Sequence, residues 1–190
     1  FMAIENICGV VRYNMQMRQR VDTVMAEERA SSFTQRSIKT QSKTQGLRLA
    51  LSMIDLTTLE GKDSDEKVRS LCRKAITPWE GKMTPPLPTV AAVCVYPSLV
   101  TIASRALEGS GVRVASVATG FPSGQFPLSV RLDDVVKAVE AGADEIDMVI
   151  NRGAFLSGRY EEVANRTAAG RHGLRVEGVS AGSLECDRVC

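Results

Sequence analysis

Four short apolar runs recur along the chain, and stretches with helical spacing of apolar residues separate them. The runs lie at residues 49–56, 89–96, 112–119 and 144–150. The second run is almost wholly apolar, which is typical of a strand covered on both faces, as in parallel sheets. Because strands and helices alternate without a hairpin signal, the pattern predicts an α/β fold with right-handed parallel crossovers.

The first amphipathic stretch predicts a helix between the first and second strands. Asp63, with Glu66 three residues later, resembles a capping box and marks the start of this helix. Pro78 marks its end, because the residue before a proline avoids helical backbone angles. The predicted apolar face consists of Val68, Leu71, Cys72 and Ala75.

Two more helices follow the second and third strands. Ser98 is the expected cap of the first of these, and Gly109 occupies the position that glycine often takes after a helix. The next helix is predicted over residues 130–142. Its inward-facing residues are expected to be Val135, Val136 and Val139.

The first 46 residues differ in composition from the rest of the chain. Residues 10–28 have apolar side chains at helical spacing, which predicts one helix. Residues 36–48 contain basic and polar side chains without an acid or an aromatic residue, which is typical of a solvated linker. The predicted organisation is therefore an N-terminal extension at 1–46, a core at 47–165 and a divergent tail at 166–190.

Composition excludes several classes of protein. The net charge of +2 is too small to indicate binding to nucleic acid or to a membrane surface. No apolar run reaches the length of a membrane-spanning helix. The five cysteines are odd in number and form no CxxC pair. That pattern favours reduced thiols in a cytoplasmic protein over a disulfide framework.

Polar residues gather where the predicted strands end, and they help to choose between two architectures. Alternating strands and helices fit either a doubly wound open sheet or an eight-stranded barrel, but no GxGxxG motif follows the first strand. Barrels keep their active sites at the carboxyl ends of their strands. Since a complete barrel needs about 250 residues, the chain has room for only about half of one after its extension. The barrel alternative is therefore an incomplete (β/α)8 TIM barrel with about four strand–helix units.

The fourth apolar run carries two acids, Glu145 and Asp147. Alternation along a strand places both of them on one face and Ile146 and Met148 on the other. A carboxylate within an apolar strand is costly unless it is paired or hydrogen-bonded. Such an acid either caps a helix or pairs with a basic side chain, or it belongs to a functional site.

Four blocks of sequence together resemble a known family. They are DLTTL at 55–59, AAVCVYP at 91–97, VASV with GFP at 114–122, and GADEIDMVINRG at 142–153. In this order and spacing they resemble the deoxyribose-phosphate aldolases, which are class I aldolases with the barrel fold. The resemblance covers residues 47–163.

The resemblance implies reversible cleavage of 2-deoxy-D-ribose 5-phosphate to D-glyceraldehyde 3-phosphate and acetaldehyde. In the family, a lysine attacks the substrate aldehyde to form a Schiff base, while a second lysine and an aspartate tune it and move protons. An iminium is an electron sink, and the lysine has to lose its proton before it attacks. The implied partner is a small phosphorylated sugar, and neither a metal nor another cofactor is required.

The resemblance also assigns roles to single residues. Asp147 corresponds to the catalytic aspartate, in the proton relay beside the Schiff-base lysine. Asp55, Thr57 and Cys94 correspond to residues of the substrate pocket, although a small buried hydrophobic role also suits Cys94. The residues of these blocks that are expected to act as structural supports are Tyr96 and Asn151.

Several parts of the family pattern have no counterpart in this sequence. They are the Schiff-base lysine on the sixth strand, the second lysine on the seventh, and the phosphate-binding loops after the seventh and eighth. The last lysine is Lys137, and its mid-helix position favours a solvated surface residue. Residues 173–176 are a candidate remnant of a fifth strand, and His172 is assigned no chemistry.

Three functional hypotheses remain open. The first is a lyase of the deoxyribose-phosphate aldolase family. The second is a truncated, catalytically inactive fragment of that family, whose open sheet edges lead to homo-oligomers or aggregates. The third is a different phosphate-sugar barrel enzyme, whose activity would depend on residues other than Asp55, Thr57 and Asp147.

Overall fold

The computed structural model describes residues 21–176, which fall into two compact units that divide after residue 45. The first unit contains helix α1 (Thr23–Thr34). Asp22 caps this helix, because its carboxylate accepts a hydrogen bond from the backbone N–H of Met25 at 3.0 Å. The helix predicted at residues 10–28 therefore begins at Thr23 and continues past residue 28, whereas residues 10–20 of the predicted span lie outside the described residues.

Helix α2 (Thr40–Ser52) corrects two predictions. The expected linker at 36–48 is helical from Thr40 onward, and the expected first strand at 49–56 is helical as far as Ser52. Lysine, glutamine, leucine, arginine and alanine all favour helix, and no proline interrupts this segment. A short apolar run does not distinguish a strand from part of a helix, and here Leu51 packs against the core from α2.

The second unit contains a parallel sheet of four strands. They are β1 (Asp55–Thr57), β2 (Ala92–Val95), β3 (Arg113–Ala118) and β4 (Glu145–Met148). The strands lie in chain order, and every neighbouring pair is parallel. All four predicted strands are thus present, and each is shorter than its apolar run. The first run includes the end of α2, and the other three include flanking loop residues.

Helices follow each strand in the described chain. They are α3 (Asp65–Ile76), α4 (Val100–Leu107), α5 (Leu128–Glu140), α6 (Arg152–Leu156) and α7 (Tyr160–Val176). A 3-10 turn (Pro97–Leu99) precedes α4. None of these helices, and neither of the two before them, combines the length and apolarity that crossing a membrane requires.

The two faces of the sheet have different neighbours. On one face, Val93 and Val95 pack with buried residues of α3, α4 and α5 to form the main core. The other face carries a second cluster, to which no described helix contributes a buried residue: Ala92, Cys94, Ala115 and Val117. A parallel sheet with helices on one face forms the wall of a (β/α)8 barrel, so the predicted incomplete TIM barrel is confirmed.

Strand β4 has the predicted alternation. Ile146 is buried in the main core and Met148 packs against it, whereas Asp147 contacts a residue of the second cluster on the opposite face. Glu145, at the beginning of the strand, pairs with Arg113 of β3 at 2.6 Å. The two acids of the fourth run therefore have different partners, and only Asp147 lies against the second cluster.

The predicted helix caps are wrong in two places, although the helix ends are close to the predicted ones. Ser64 rather than Asp63 caps α3, since its hydroxyl accepts a hydrogen bond from the N–H of Lys67. Asp63 accepts hydrogen bonds from Thr58 at 2.9 Å and from Lys67 Nζ at 2.5 Å, and the latter lowers its pKa. Ser98 lies in the 3-10 turn and makes no capping hydrogen bond.

Helix α5 faces the sheet with a different set of residues from the one predicted. Val135 is buried in the core as expected, and Val139 packs at its edge. Val136 is only half-buried and is not part of the core, while the remaining buried positions of the helix are Arg131 and Ala138. The buried residues therefore recur every three or four positions from Arg131, and the inclusion of Val136 was wrong.

Helix α7 includes residues 173–176, so the interpretation of that segment as a remnant strand is wrong. No proline interrupts this helix, and the alanines before residue 170 favour helix, although Gly170 and Gly173 do not. The same helix passes through the predicted boundary between residues 165 and 166.

Candidate active site

The site predicted from sequence lies on the face of the sheet that carries the second cluster. Cys94 of β2 and Asp147 of β4 meet there, and the Cys94 thiol donates a hydrogen bond to Asp147 Oδ2 at 3.2 Å. Strand β3 lies between them, with Ala115 directly beside Cys94 and Val117 beside Asp147. Because Ala115 projects only a methyl group, the two longer side chains can make contact across it.

The thiol at this position is protonated and buried. Cys94 is 2% exposed, and burial raises its pKa far above the usual range. The negative charges of Asp147 and Asp55 raise this pKa further, while a hydrogen bond with Thr57 lowers it. A thiol in such surroundings is a hydrogen-bond donor rather than a nucleophile.

All four residues predicted for the site are therefore brought together. Thr57 lies beside Cys94 in the register of the sheet, and Asp55 and Asp147 act on the same thiol. The described residues hold no group of three or more histidine, cysteine, aspartate or glutamate side chains that could bind a metal ion. The individual catalytic and binding roles of these residues stay predictions.

A network of buried polar groups fixes the ends of β3 and β4 behind this cluster. Arg131 of α5 is 2% exposed, and it donates from Nε to the carbonyl of Thr119 at 2.9 Å and from Nη2 to the carbonyl of Val149 at 2.7 Å. The Thr119 hydroxyl donates to the same Val149 carbonyl at 3.0 Å and accepts from the Val149 N–H at 2.7 Å. Asp147 thus lies two residues before a firmly held carbonyl.

Sequence reasoning missed Arg131, and it identified Thr119 only as a polar residue at the end of the third strand. Thr119 adopts a φ of 62°, which is uncommon for a β-branched residue, and its hydroxyl bonds to Val149 compensate for that conformation. A signal was present for Arg131, since it lies four residues before Val135 on the buried face of α5. Burial also lowers the pKa of Arg131.

The loops that follow β3 and β4 are joined by further contacts. Arg152 donates to the carbonyl of Pro122 at 3.0 Å. Gly124 has a φ of 66° and lies so close to Ile150 that a Cβ would approach the carbonyl oxygen of that residue to 2.5 Å. The loops after β3 and β4 are therefore held against each other by a hydrogen bond and a close backbone contact at the carboxyl ends of the two strands.

The two residues predicted to be structural supports make contacts of that kind. Asn151 caps α6, since its side chain accepts a hydrogen bond from the N–H of Ala154 at 2.9 Å. The Tyr96 ring packs edge-on against Phe121, with 5.9 Å between centroids. Both aromatic residues line a cavity of about 370 Å³, which Lys137 also borders.

The lysines that border the nearby cavities lie outside the cluster of Asp55, Thr57, Cys94 and Asp147. Lys67 and Lys74 line a cavity of about 470 Å³ that reaches Thr57, but the ammonium group of Lys67 is paired with Asp63. Lys137 is exposed on α5, as the sequence predicted. His172 lies beyond the residues whose side chains are described.

The fold is the wall of an incomplete α/β barrel, with carboxylates, a hydroxyl and a thiol on its inner face. Residues 49–169 match the family described as DeoC/LacD family aldolase. The chain therefore belongs to the DeoC/LacD aldolase family.

Similar proteins agree with this assignment. The deoxyribose-phosphate aldolase of Mus musculus is 46% identical over 134 residues, which make up 66% of this chain and 42% of that protein. The aldolase QR15 has a TM-score of 0.55 at 28% identity, covering 65% of this chain and 50% of that structure. The tetrameric deoxyribose phosphate aldolase of Aeropyrum pernix has a TM-score of 0.52 at 28% identity, covering 66% and 49%. The chain thus spans half or less of the length of each.

Proposed function

We propose that this chain supplies half of the active site of a deoxyribose-phosphate aldolase. The reaction is the reversible cleavage of 2-deoxy-D-ribose 5-phosphate to D-glyceraldehyde 3-phosphate and acetaldehyde. The observation that carries the proposal is the cluster of Asp147, Cys94, Thr57 and Asp55 on the sheet face that the described helices do not cover. Membership of an aldolase family and the name of the mouse relative support the choice of reaction.

Asp147 is proposed to move protons during carbon–carbon bond cleavage. A Schiff-base aldolase needs a base that takes the proton of the substrate hydroxyl while electrons pass into the iminium. The Asp147 carboxylate is held on one side by the Cys94 thiol, and the Val149 carbonyl is fixed two residues later. Such support keeps a catalytic group in place without blocking its second oxygen.

Asp55 and Thr57 are proposed to bind the hydroxyl groups of the sugar. Both lie on β1 and act on the same thiol as Asp147, so a small substrate placed against Cys94 would reach all of them. The Schiff-base lysine is proposed to come from outside this cluster. The nearby lysines are paired, as Lys67 is, or exposed on a helix, as Lys137 is.

A chimera tests the proposed role of Asp147 directly. Residues 49–169 of this chain would replace the matching segment of the mouse aldolase, and cleavage of 2-deoxy-D-ribose 5-phosphate would be followed through the release of glyceraldehyde 3-phosphate. We expect turnover in the chimera, and a fall of about 100-fold or more in kcat on Asp147→Asn. Glu145→Gln is the matched control, because it removes an acid from the same strand that pairs with Arg113. Equal kcat values for the two variants would reject the catalytic role.

The 190-residue chain alone tests whether the Schiff-base nucleophile lies within this chain. We expect it to show no turnover, and borohydride with acetaldehyde to trap no adduct at a single lysine, because none of the lysines bordering the cavities is placed in the cluster. Site-specific trapping at Lys67, Lys74 or Lys137 would instead identify a nucleophile within this chain. Size-exclusion chromatography of the same preparation tests the expected association through strand edges.

A further inference from the structure

A third cavity lies along the last turn of α3, and it shares Ser70 and Lys74 with the cavity of about 470 Å³ that reaches Thr57. Helix α3 leads from the carboxyl end of β1 to the amino end of β2, so its last turn is remote from Asp147. This turn and the loop after it border a cavity of about 740 Å³. Its lining residues include Ser70, Arg73, Lys74, Trp79, Glu80 and Gly81.

The cavity carries two positive charges that the fold does not use in ion pairs. Arg73 and Lys74 are exposed, and neither makes a salt bridge within the described part of the chain. By contrast, the other basic residues of α3 are paired, Lys67 with Asp63 and Arg69 with Asp65 and Glu66. The lining holds one acid, Glu80, so the cavity has a net positive charge.

The cavity also presents an aromatic surface. Trp79 is the only tryptophan of the chain and is 62% exposed. Its indole lies directly over Gly81, where any side chain would collide with the ring. Among residues 21–170, no other ring or cation stacks on the indole. The exposed face of the indole is therefore available for stacking by a flat ligand.

We propose that this cavity, the Trp79 cavity, binds a nucleoside monophosphate. The phosphate would contact Arg73 and Lys74, since guanidinium and ammonium groups are the usual hydrogen-bond donors to phosphate oxygens. It would also accept a hydrogen bond from the hydroxyl of Ser70. The base would stack on Trp79, because a nucleobase and an indole present matching flat faces. The cavity volume is within the range of about 300–1,000 Å³ that small-molecule sites occupy.

Glu80 adds a further contact in this arrangement. Its carboxylate would accept hydrogen bonds from ribose hydroxyls, which lie between the phosphate and the base of a nucleotide. The site needs neither the residues around Asp147 nor aldolase activity, so its test is independent of the proposed reaction.

The single tryptophan makes binding directly measurable in the 190-residue chain. We expect AMP to quench the fluorescence of Trp79 in a saturable manner, and calorimetry to show that ribose 5-phosphate binds about tenfold or more weakly, because it lacks the base. Arg73→Ala and Lys74→Ala should each weaken AMP binding about tenfold. Both side chains are exposed, so the fold should tolerate their truncation.

Two further variants serve as controls. Arg69→Ala removes one positive charge from the same helix but outside the cavity lining, and should leave AMP binding unchanged. Gly81→Ala displaces the indole without altering any charge, and should reduce AMP binding to the level of ribose 5-phosphate. Equal binding of AMP and ribose 5-phosphate, equal effects of Arg69→Ala and Arg73→Ala, or the absence of saturable binding would each overturn the proposal.

Discussion

The Cys94 thiol donates a hydrogen bond to the Asp147 carboxylate across strand β3, at a distance of 3.2 Å. Two strands that are not neighbours in the sheet therefore share one polar contact over the methyl group of Ala115. The contact depends on a neutral thiol, because a thiolate would repel the carboxylate. The protonation state of the Cys94 thiol therefore reports whether the contact with Asp147 is present.

We expect Cys94 to be alkylated slowly by iodoacetamide at about pH 8, and Asp147→Asn to accelerate the reaction. The substitution removes a negative charge that raises the pKa of the thiol. Mass spectrometry of the modified peptides gives the rate at each cysteine. Cys72 is the internal control, since burial raises its pKa and its charged neighbour is Arg73 rather than an acid. An unchanged Cys94 rate in Asp147→Asn would show that the carboxylate does not act on the thiol.

The same thiol should make stability fall at alkaline pH. The folded state raises the pKa of Cys94, whereas the unfolded chain releases this proton near pH 8.5, roughly the value of a free cysteine. Above that pH the unfolded state binds fewer protons than the folded state, so the free energy of unfolding falls as pH rises. Urea unfolding from about pH 7 to 10 should show this slope, and it should be shallower in Cys94→Ala. Identical slopes would contradict the prediction.

The sequence was sufficient for the features that local spacing determines. The period of Val68, Cys72 and Ala75 identified the buried face of α3, and the alternation in β4 separated Ile146 from Asp147. The four site residues came from the resemblance to the deoxyribose-phosphate aldolases. They lie together because neighbouring parallel strands bring them to the same face of the sheet.

Features that depend on distant partners were missed. Burial of Arg131 is tolerated because the carbonyls of Thr119 and Val149 accept hydrogen bonds from its guanidinium group. No local sequence pattern indicates that Thr119 and Val149 lie together. The helix α2 was missed for a different reason, since its composition is equally compatible with a solvated linker and with a helix.

The orientation of α5 against the sheet predicts different losses of stability for the same substitution at two adjacent valines. Val135 is 1% exposed and Val136 is half-buried outside the core. Val135→Asp should lower the free energy of unfolding by about 3 kcal/mol or more, because it buries a carboxylate without a partner. Val136→Asp should cost about 1 kcal/mol or less. Urea denaturation compares the two, and equal losses would show that the helix is rotated from the described orientation.

Arg131 should be needed for stability through its hydrogen bonds rather than only through its charge. Arg131→Met removes both bonds to the carbonyls of Thr119 and Val149, and should cost about 3–6 kcal/mol, since hydrogen bonds to charged groups contribute about 1.5–3 kcal/mol each. Arg131→Lys keeps the charge but not the forked geometry, and should recover only part of the loss. Full recovery with lysine would assign the effect to charge alone.

Thr119 allows the strain of its backbone to be separated from the contribution of its hydroxyl. Thr119→Ala removes the two bonds to Val149 and leaves a side chain at a φ of 62°. Thr119→Gly removes the same bonds but adopts this conformation freely, so it should be more stable than Thr119→Ala by about 1 kcal/mol. Both variants should be less stable than the parent, because the backbone groups of Val149 lose a buried partner. Chemical denaturation of the three proteins measures these differences. If the glycine variant is the least stable, the positive φ is not a source of strain, and the hydroxyl bonds alone explain why threonine occupies this turn.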